Sequence, residues 1–215
     1  MAADLELPPE VAAPGFAVIE TFGWDGARFP RIWAHMDRLG RTCAGFGISL
    51  DPGDVLVRLD ALPLAGAARI RVTVARDGAV AVSHAPLGPA EAVWRVAVAR
   101  ERLASGNPWL RVKTTERGLY DRARAALPEG VAEMIFLNER GEVCEGAITT
   151  VFFDAGAGLC TPPLLCGVLP GILRAEQVAA GCREQVLPGD ALGDVRLWVG
   201  NSLRGMIPAL LDRGR

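Results

Sequence analysis

Apolar and polar positions alternate most strictly in RIRVTVARDGAVAVS, residues 69–83, where two runs of period two flank Asp77-Gly78. Alternation of that kind lays one side of each run on a core, and an Asp-Gly dipeptide closes a tight turn, so the pattern predicts a β-hairpin with one apolar face. The stretch GFAVIETFGWDGARF, residues 15–29, predicts a second hairpin turning at Asp25-Gly26. The period then changes. After Pro30, the residues Ile32, Met36, Leu39, Cys43 and Phe46 recur at steps of four and three, which is the signature of an amphipathic helix. Asp51-Pro52-Gly53-Asp54 opens a second, shorter helix with Val55, Leu56 and Leu59 as its buried side, and Ala92 to Ala99 reads as a further strand.

Ala104-Ser105-Gly106-Asn107-Pro108 has the composition of a linker. The WLRVKTT segment after it reads as a short strand ending at Lys113, with Thr114 or Thr115 as the cap of a helix from about Glu116 to Leu127. The apolar run MIFL, the turn Asn138-Glu139-Arg140-Gly141 and the run ending in VFF predict two strands joined by a turn. Pro170-Gly171 opens a helix that runs through Ala180, and VRLWVGNSLRGMIPAL reads as a strand, a polar turn at Asn201-Ser202 and an apolar finish. Residues 1–15 form a Pro- and Ala-rich lead-in. The chain divides into a smaller N-terminal α/β domain, residues 1–105, and a C-terminal domain, residues 106–215.

Composition narrows the class. Half of the 215 residues are hydrophobic and 22% are charged, as in an ordered globular protein with a sizeable core. The net charge of −2, with its 23 basic residues scattered, predicts no nucleic-acid partner. No apolar run is long enough to span a membrane and the acidic N-terminus is unlike a signal peptide, so the expected location is cytoplasmic, with no membrane partner. Five cysteines without a C-x-x-C pair indicate neither a disulfide framework nor a metal site. With two distant histidines, His35 and His84, a Ser-His-Asp triad is not expected, although His35 alone could serve elsewhere.

Taken one at a time, the chemistry-bearing residues have bland readings. Arg38 and Lys113 read as surface cations and Glu145 as a solvated acid. A glycine at a helix start, Gly171, exposes N–H groups that suit a phosphate, yet many helices begin so.

The order of the blocks changes that reading. HMDRL at 35–39, NPWLRVKTTER at 107–117, NERGEVCEGAITTVFF at 138–153, TPPLLCGVLPGILR at 161–174 and GNSLRGMIP at 200–208 together resemble the class IV (fold type IV) pyridoxal-phosphate enzymes. That family includes branched-chain and D-amino-acid aminotransferases and 4-amino-4-deoxychorismate lyase. The resemblance runs from about Val18 to Leu210. It implies an α/β (α+β) two-domain fold, D-amino-acid aminotransferase-like and shortened at the N-terminus, with the active site between domains, a small-molecule amino substrate and a homodimer.

It also implies a cofactor, pyridoxal 5'-phosphate, and residue roles. Lys113 would hold the cofactor as a Schiff base and shuttle protons, and Glu145 would keep the ring nitrogen protonated. Arg38, the N–H groups at Gly171, Ile172 and Leu173, and the turn Asn201-Ser202 would cradle the phosphate. Three departures from the family pattern stand out, the one at Leu173 bearing on the phosphate and the other two on substrate. Gly118 stands where the branched-chain enzymes place a tyrosine five residues after the lysine, Leu173 replaces a common threonine, and Thr150 replaces a common asparagine. Asn107-Pro108 before the lysine and Arg117 after it look more like the lyase, so the expected reaction is release of 4-aminobenzoate and pyruvate on the folate route. The alternatives are an aminotransferase of branched-chain or D-amino acids and a non-catalytic, cofactor-carrying paralogue.

Overall fold

The computed structural model describes residues 15–89 and 91–212. All but Gly15 of the lead-in expected over residues 1–15 lies outside the described residues. The chain divides into two compact units, Met1–Pro89 with Val112–Glu116, and Ala90–Arg111 with Arg117–Arg215. It therefore passes between units three times, and the short segment that carries Lys113 belongs with the first.

In the smaller unit, strands β1 (Ala17–Trp24), β2 (Ala68–Ala75) and β3 (Val80–Pro86) form an antiparallel sheet in the order β1-β2-β3. The strict alternation of β2 buries Ala68, Ile70, Val72 and Val74, and its hairpin to β3 turns where expected. Gly78 has φ 85°, and a Cβ there would lie 2.6 Å from the Ser49 carbonyl oxygen, so backbone sign and close approach both require glycine. Helix α1 (Ile32–Gly45) buries Met36, Leu39 and Cys43, as its periodicity predicts, together with His35 and Thr42. Helix α2 (Pro52–Asp60) is capped by Asp51, whose carboxylate accepts from Gly53 N at 2.8 Å.

Two local expectations differ. Asp25-Gly26 does not turn into a second strand, because β1 takes β2 as its partner along all eight residues and Asp25 instead accepts from Ala27 N and Arg28 N. The other edge of β1 is occupied by residues 112–116, where Ile19 N donates to Lys113 O and Thr115 N to Ala17 O, both at 2.9 Å. Neither threonine caps the next helix. Thr115 Oγ1 accepts from Ala17 N and Thr114 Oγ1 from Glu116 N.

The larger unit holds an eight-stranded sheet. Its strands are β4 (Trp94–Leu103), β5 (Glu133–Asn138), β6 (Val143–Gly146), β7 (Thr150–Asp154), β8 (Cys160–Thr161), β9 (Arg183–Glu184), β10 (Arg196–Asn201) and β11 (Gly205–Leu211), in the order β10-β11-β4-β5-β6-β7-β8-β9. A further pairing of β10 with β7 closes six of them into a ring. Val96, Ile135, Leu137, Val143, Val151, Phe153, Leu197 and Val199 belong to one buried cluster that fills it. Helix α3 (Gly118–Ala125) packs with Phe136 and Cys144, and helix α4 (Ile172–Ala179) covers Phe152 through Leu173. The segment before Lys113 is a short 3-10 helix, Pro108–Arg111, in place of the expected strand. Among the described residues, no helix is long and apolar enough to cross a membrane.

Candidate active site

The Glu145 carboxylate reaches its position through an irregularity in β6. Leu137 pairs with Val143 and Ile135 with Gly146, so three steps along β6 answer two along β5. Such a bulge inverts the alternation of side chains beyond it. Val143 faces the apolar ring interior, whereas Glu145, two residues on, pairs with Thr150 on the opposite face. Regular pleating would have driven the carboxylate into the core, where an unpaired charge is costly.

On its own face Glu145 is 7% exposed and tightly held. Tyr120 Oη donates to Oε1 at 2.6 Å and Leu169 N to Oε2 at 2.9 Å. Burial and the adjoining Glu145 carboxylate push the Tyr120 phenol well above its ordinary value, so it remains a neutral donor. Tyr120 is itself fixed by an edge contact to Phe136, with ring centroids 5.1 Å apart, and by the Arg117 guanidinium 5.6 Å over its ring. Arg117 also donates to Ala147 O at 2.8 Å. The loop after Glu145 is shaped by buried Glu133, which accepts from Ala147 N, Ile148 N and Thr149 Oγ1 at 3.1, 3.0 and 3.0 Å.

Across the sheet, Glu145 pairs with Thr150, Thr150 with Gly200, and Gly200 with Met206, so these positions share one row and one face. The N-terminus of α4 lies on that row. Thr150 Oγ1 is 3.1 Å from where a Cβ of Gly171 would sit, and Leu173 Cδ2 is 2.9 Å from that of Gly200. Glu145, Gly171, Ile172, Leu173 and the Asn201-Ser202 turn are thus gathered at one end of the larger unit. Gly171 stands at the N-cap without a side-chain cap, and the first turn holds no acid. The first backbone bond into the helix runs from Ala175 N to Gly171 O, and the N–H groups of Ile172 and Leu173 have no acceptor among the described residues. Both residues are buried, and a buried helix start with unused donors is built for an anion. Asn201 organises its own turn. Its Oδ1 accepts from Leu203 N and Arg204 N and its Nδ2 donates to Ile148 O, so its side chain shapes the turn.

In the smaller unit the structure brings Arg38 together with His35 and with Glu20, which local sequence patterns passed over. Glu20, 1% exposed, accepts from Arg38 Nε and Nη2, each at 2.7 Å, and lies 2.7 Å from His35 Nδ1. Burial pushes the Glu20 carboxyl up, but the Arg38 charge and hydrogen bonds outweigh it and hold the group at about 2. A carboxylate can only accept, so His35 carries its proton on Nδ1. Burial also lowers the His35 value against the pull of Glu20, and the Arg38 and Lys113 charges lower it further. Arg38 is therefore no loosely solvated surface cation. It is a guanidinium set by a bidentate fork on the strand to which the Lys113 segment is hydrogen-bonded.

Sequence reasoning missed Glu20, Tyr120 and Leu169 N. An acid inside the apolar run IETF was a legible signal for Glu20, and Tyr120 is the one tyrosine of the chain, two residues beyond Gly118. Nothing in the sequence marks a backbone N–H such as that of Leu169.

A two-unit α/β chain with a fixed carboxylate, unused helix-start donors and a lysine on a returning segment defines a class, and the comparisons place it. Residues 17–211 match the family described as amino-transferase class IV, so the chain belongs to that family of enzymes, whose cofactor is pyridoxal 5'-phosphate. It is similar to a candidate amino-acid aminotransferase from Mesorhizobium loti, with 44% identity and a TM-score of 0.87 over 92% of this chain and 100% of that one. Two more distant structures share the fold. One is a candidate 4-amino-4-deoxychorismate lyase from Legionella pneumophila, with 20% identity and a TM-score of 0.79 over 92% of this chain and 83% of that one. The other is a candidate branched-chain amino acid aminotransferase from Thermotoga maritima, with 24% identity and a TM-score of 0.79 over 95% and 82%. No curated protein matches the sequence.

The residues present fit that cofactor. A carboxylate suited to a ring nitrogen and two N–H donors without an acceptor among the described residues, suited to a phosphate, share one face of the larger unit, and Gly171 and Gly200 let the start of α4 lie close against it.

Proposed function

We propose that the protein is a pyridoxal-phosphate-dependent amino-acid aminotransferase in which Lys113 is the covalent anchor and proton carrier. The observation that carries this reading is the set of groups around Glu145, a buried carboxylate fixed by two donors beside a helix start whose own donors are unused. Bound there, the cofactor supplies an electron sink that makes a proton on the substrate's amino-bearing carbon removable. Lys113 takes that proton and returns one, and Glu145 holds a protonated ring nitrogen by a charge-assisted hydrogen bond. The Ile172 and Leu173 N–H groups, Ser202 and Arg38 bind the phosphate. Amino transfer is placed ahead of lyase chemistry because the 44% identical relative is named for it.

Lyase action on 4-amino-4-deoxychorismate, releasing 4-aminobenzoate and pyruvate, is the second reading, supported by the Asn107-Pro108 and Arg117 pattern around the lysine. A homodimer is proposed by family analogy.

The purified protein incubated with pyridoxal phosphate should turn yellow and keep the colour through gel filtration, while Lys113→Ala should lose it. A colourless wild type overturns the reading. An amino acid should convert the bound cofactor to its amine form, and a 2-oxo acid should reverse the change. Pyruvate from aminodeoxychorismate without that reversible conversion would decide for the lyase.

A further inference from the structure

We propose that Tyr120 is a positioning residue for Glu145, setting through its hydroxyl how strongly that carboxylate grips the ring nitrogen of the cofactor. The inference rests on the reading of Glu145 given above. A carboxylate on a β-strand can rotate about its terminal torsion, and each orientation offers a different lone pair to a ligand. Here the two oxygens are tied separately, Oε1 by Tyr120 Oη at 2.6 Å and Oε2 by Leu169 N at 2.9 Å, which fixes the carboxylate plane.

The tyrosine has little freedom of its own. It lies on α3 with its ring edge against fully buried Phe136 and its face beneath Arg117, and Arg117 is fastened to Ala147 O two residues beyond Glu145. The donor and the strand bearing its acceptor are thus held by two independent links. A hydroxyl that only filled space would need no such acceptor, and a carboxylate that only faced water would need no such donor. Hydrogen bonds to an ionised group are worth more than neutral ones, so loss of this one should register in affinity.

The substitution Tyr120→Phe removes the hydroxyl and keeps the ring contacts. Its affinity for pyridoxal phosphate is compared with that for a carbocyclic analogue carrying CH in place of the ring nitrogen. Expected is a weakening of about 10-fold for pyridoxal phosphate and little change for the analogue, with the absorption maximum of bound pyridoxal phosphate moving as it does in Glu145→Gln. Equal weakening for both ligands would reduce Tyr120 to a structural role and overturn the proposal, as would no weakening at all. Glu145→Gln separates the two levels of inference. If it discriminates between the ligands and Tyr120→Phe does not, only the role of Tyr120 fails. If it does not discriminate either, the reading of Glu145 as the ring-nitrogen partner fails with it.

Discussion

At the scale of single residues, the buried group most exposed to a change of conditions is the Glu20, His35 and Arg38 cluster. The folded Glu20 value, about 2, lies below its ordinary 4.5, so its contribution to stability is fully present above about pH 4.5 and is lost as pH falls toward 2. For a group buried to 1% exposure that contribution is roughly 3 kcal/mol. His35 acts in the same direction from a higher starting point. Its folded value is lowered from 6.5, so the folded state binds fewer protons than the unfolded chain, and stability falls as pH drops below that value. Urea unfolding between pH 7 and pH 3 should show a loss that begins near pH 6.5 and continues below 4.5. In Glu20→Gln the lower part of that loss should vanish. The same substitution should cost about 3 kcal/mol at pH 7, because Arg38 loses its carboxylate. A wild-type profile flat between pH 4.5 and 3 would contradict this account.

At the scale of elements, the site depends on how closely α4 approaches the hairpin of β10 and β11. Gly200 makes that approach: a Cβ there would lie 2.5 Å from Gly205 O, 2.9 Å from Leu173 Cδ2 and 3.1 Å from Met206 Cα. Two of these atoms are backbone and cannot swing aside. Gly200→Ala should therefore spread the hairpin or lift the first turn of α4, destabilising the protein by ~2 kcal/mol. Cofactor affinity should fall as well, since both donor elements move. Gly40→Ala is a suitable control, because nothing lies within 4 Å of its added Cβ. Equal behaviour of the two variants in thermal unfolding and cofactor titration would refute the role of Gly200. The bulge in β6 belongs to this scale too, for it gives Glu145 a face that its own pleat would deny.

At the scale of the whole molecule, a ligand that binds only the folded state adds stability in proportion to the logarithm of its concentration over Kd. Pyridoxal phosphate at 100 times its Kd should contribute about 2.7 kcal/mol, which for a chain of this size raises Tm by about 5–10 °C. Lys113→Ala should lose most of the rise while its unliganded Tm stays near wild type, because the Lys113 segment is held on β1 by its backbone. A drop in the unliganded Tm would show that the lysine side chain also supports the fold. The proposed homodimer is checked by sedimentation of the cofactor-loaded protein, where the mass of a single chain would exclude it.

Much of the architecture was legible because it is local. Strict alternation located β2 and β3, the shift to steps of three and four located α1, and Asp51 marked the start of α2. The ordered blocks identified the class IV family, and with it the cofactor. Strand partners and side-chain neighbours were not legible, since they arise between residues far apart in the chain. Asp25-Gly26 looked like a hairpin turn, yet β1 found its partner in β2, and the strap on its other edge came from residues 112–116. By itself the sequence read Glu145 as a solvated acid, and only the bulge decided which face it took. Only the packing of α3 and of the loop before α4 decided which donors met it, because a hydrogen bond depends on atoms brought within 3 Å and chain order does not fix that distance.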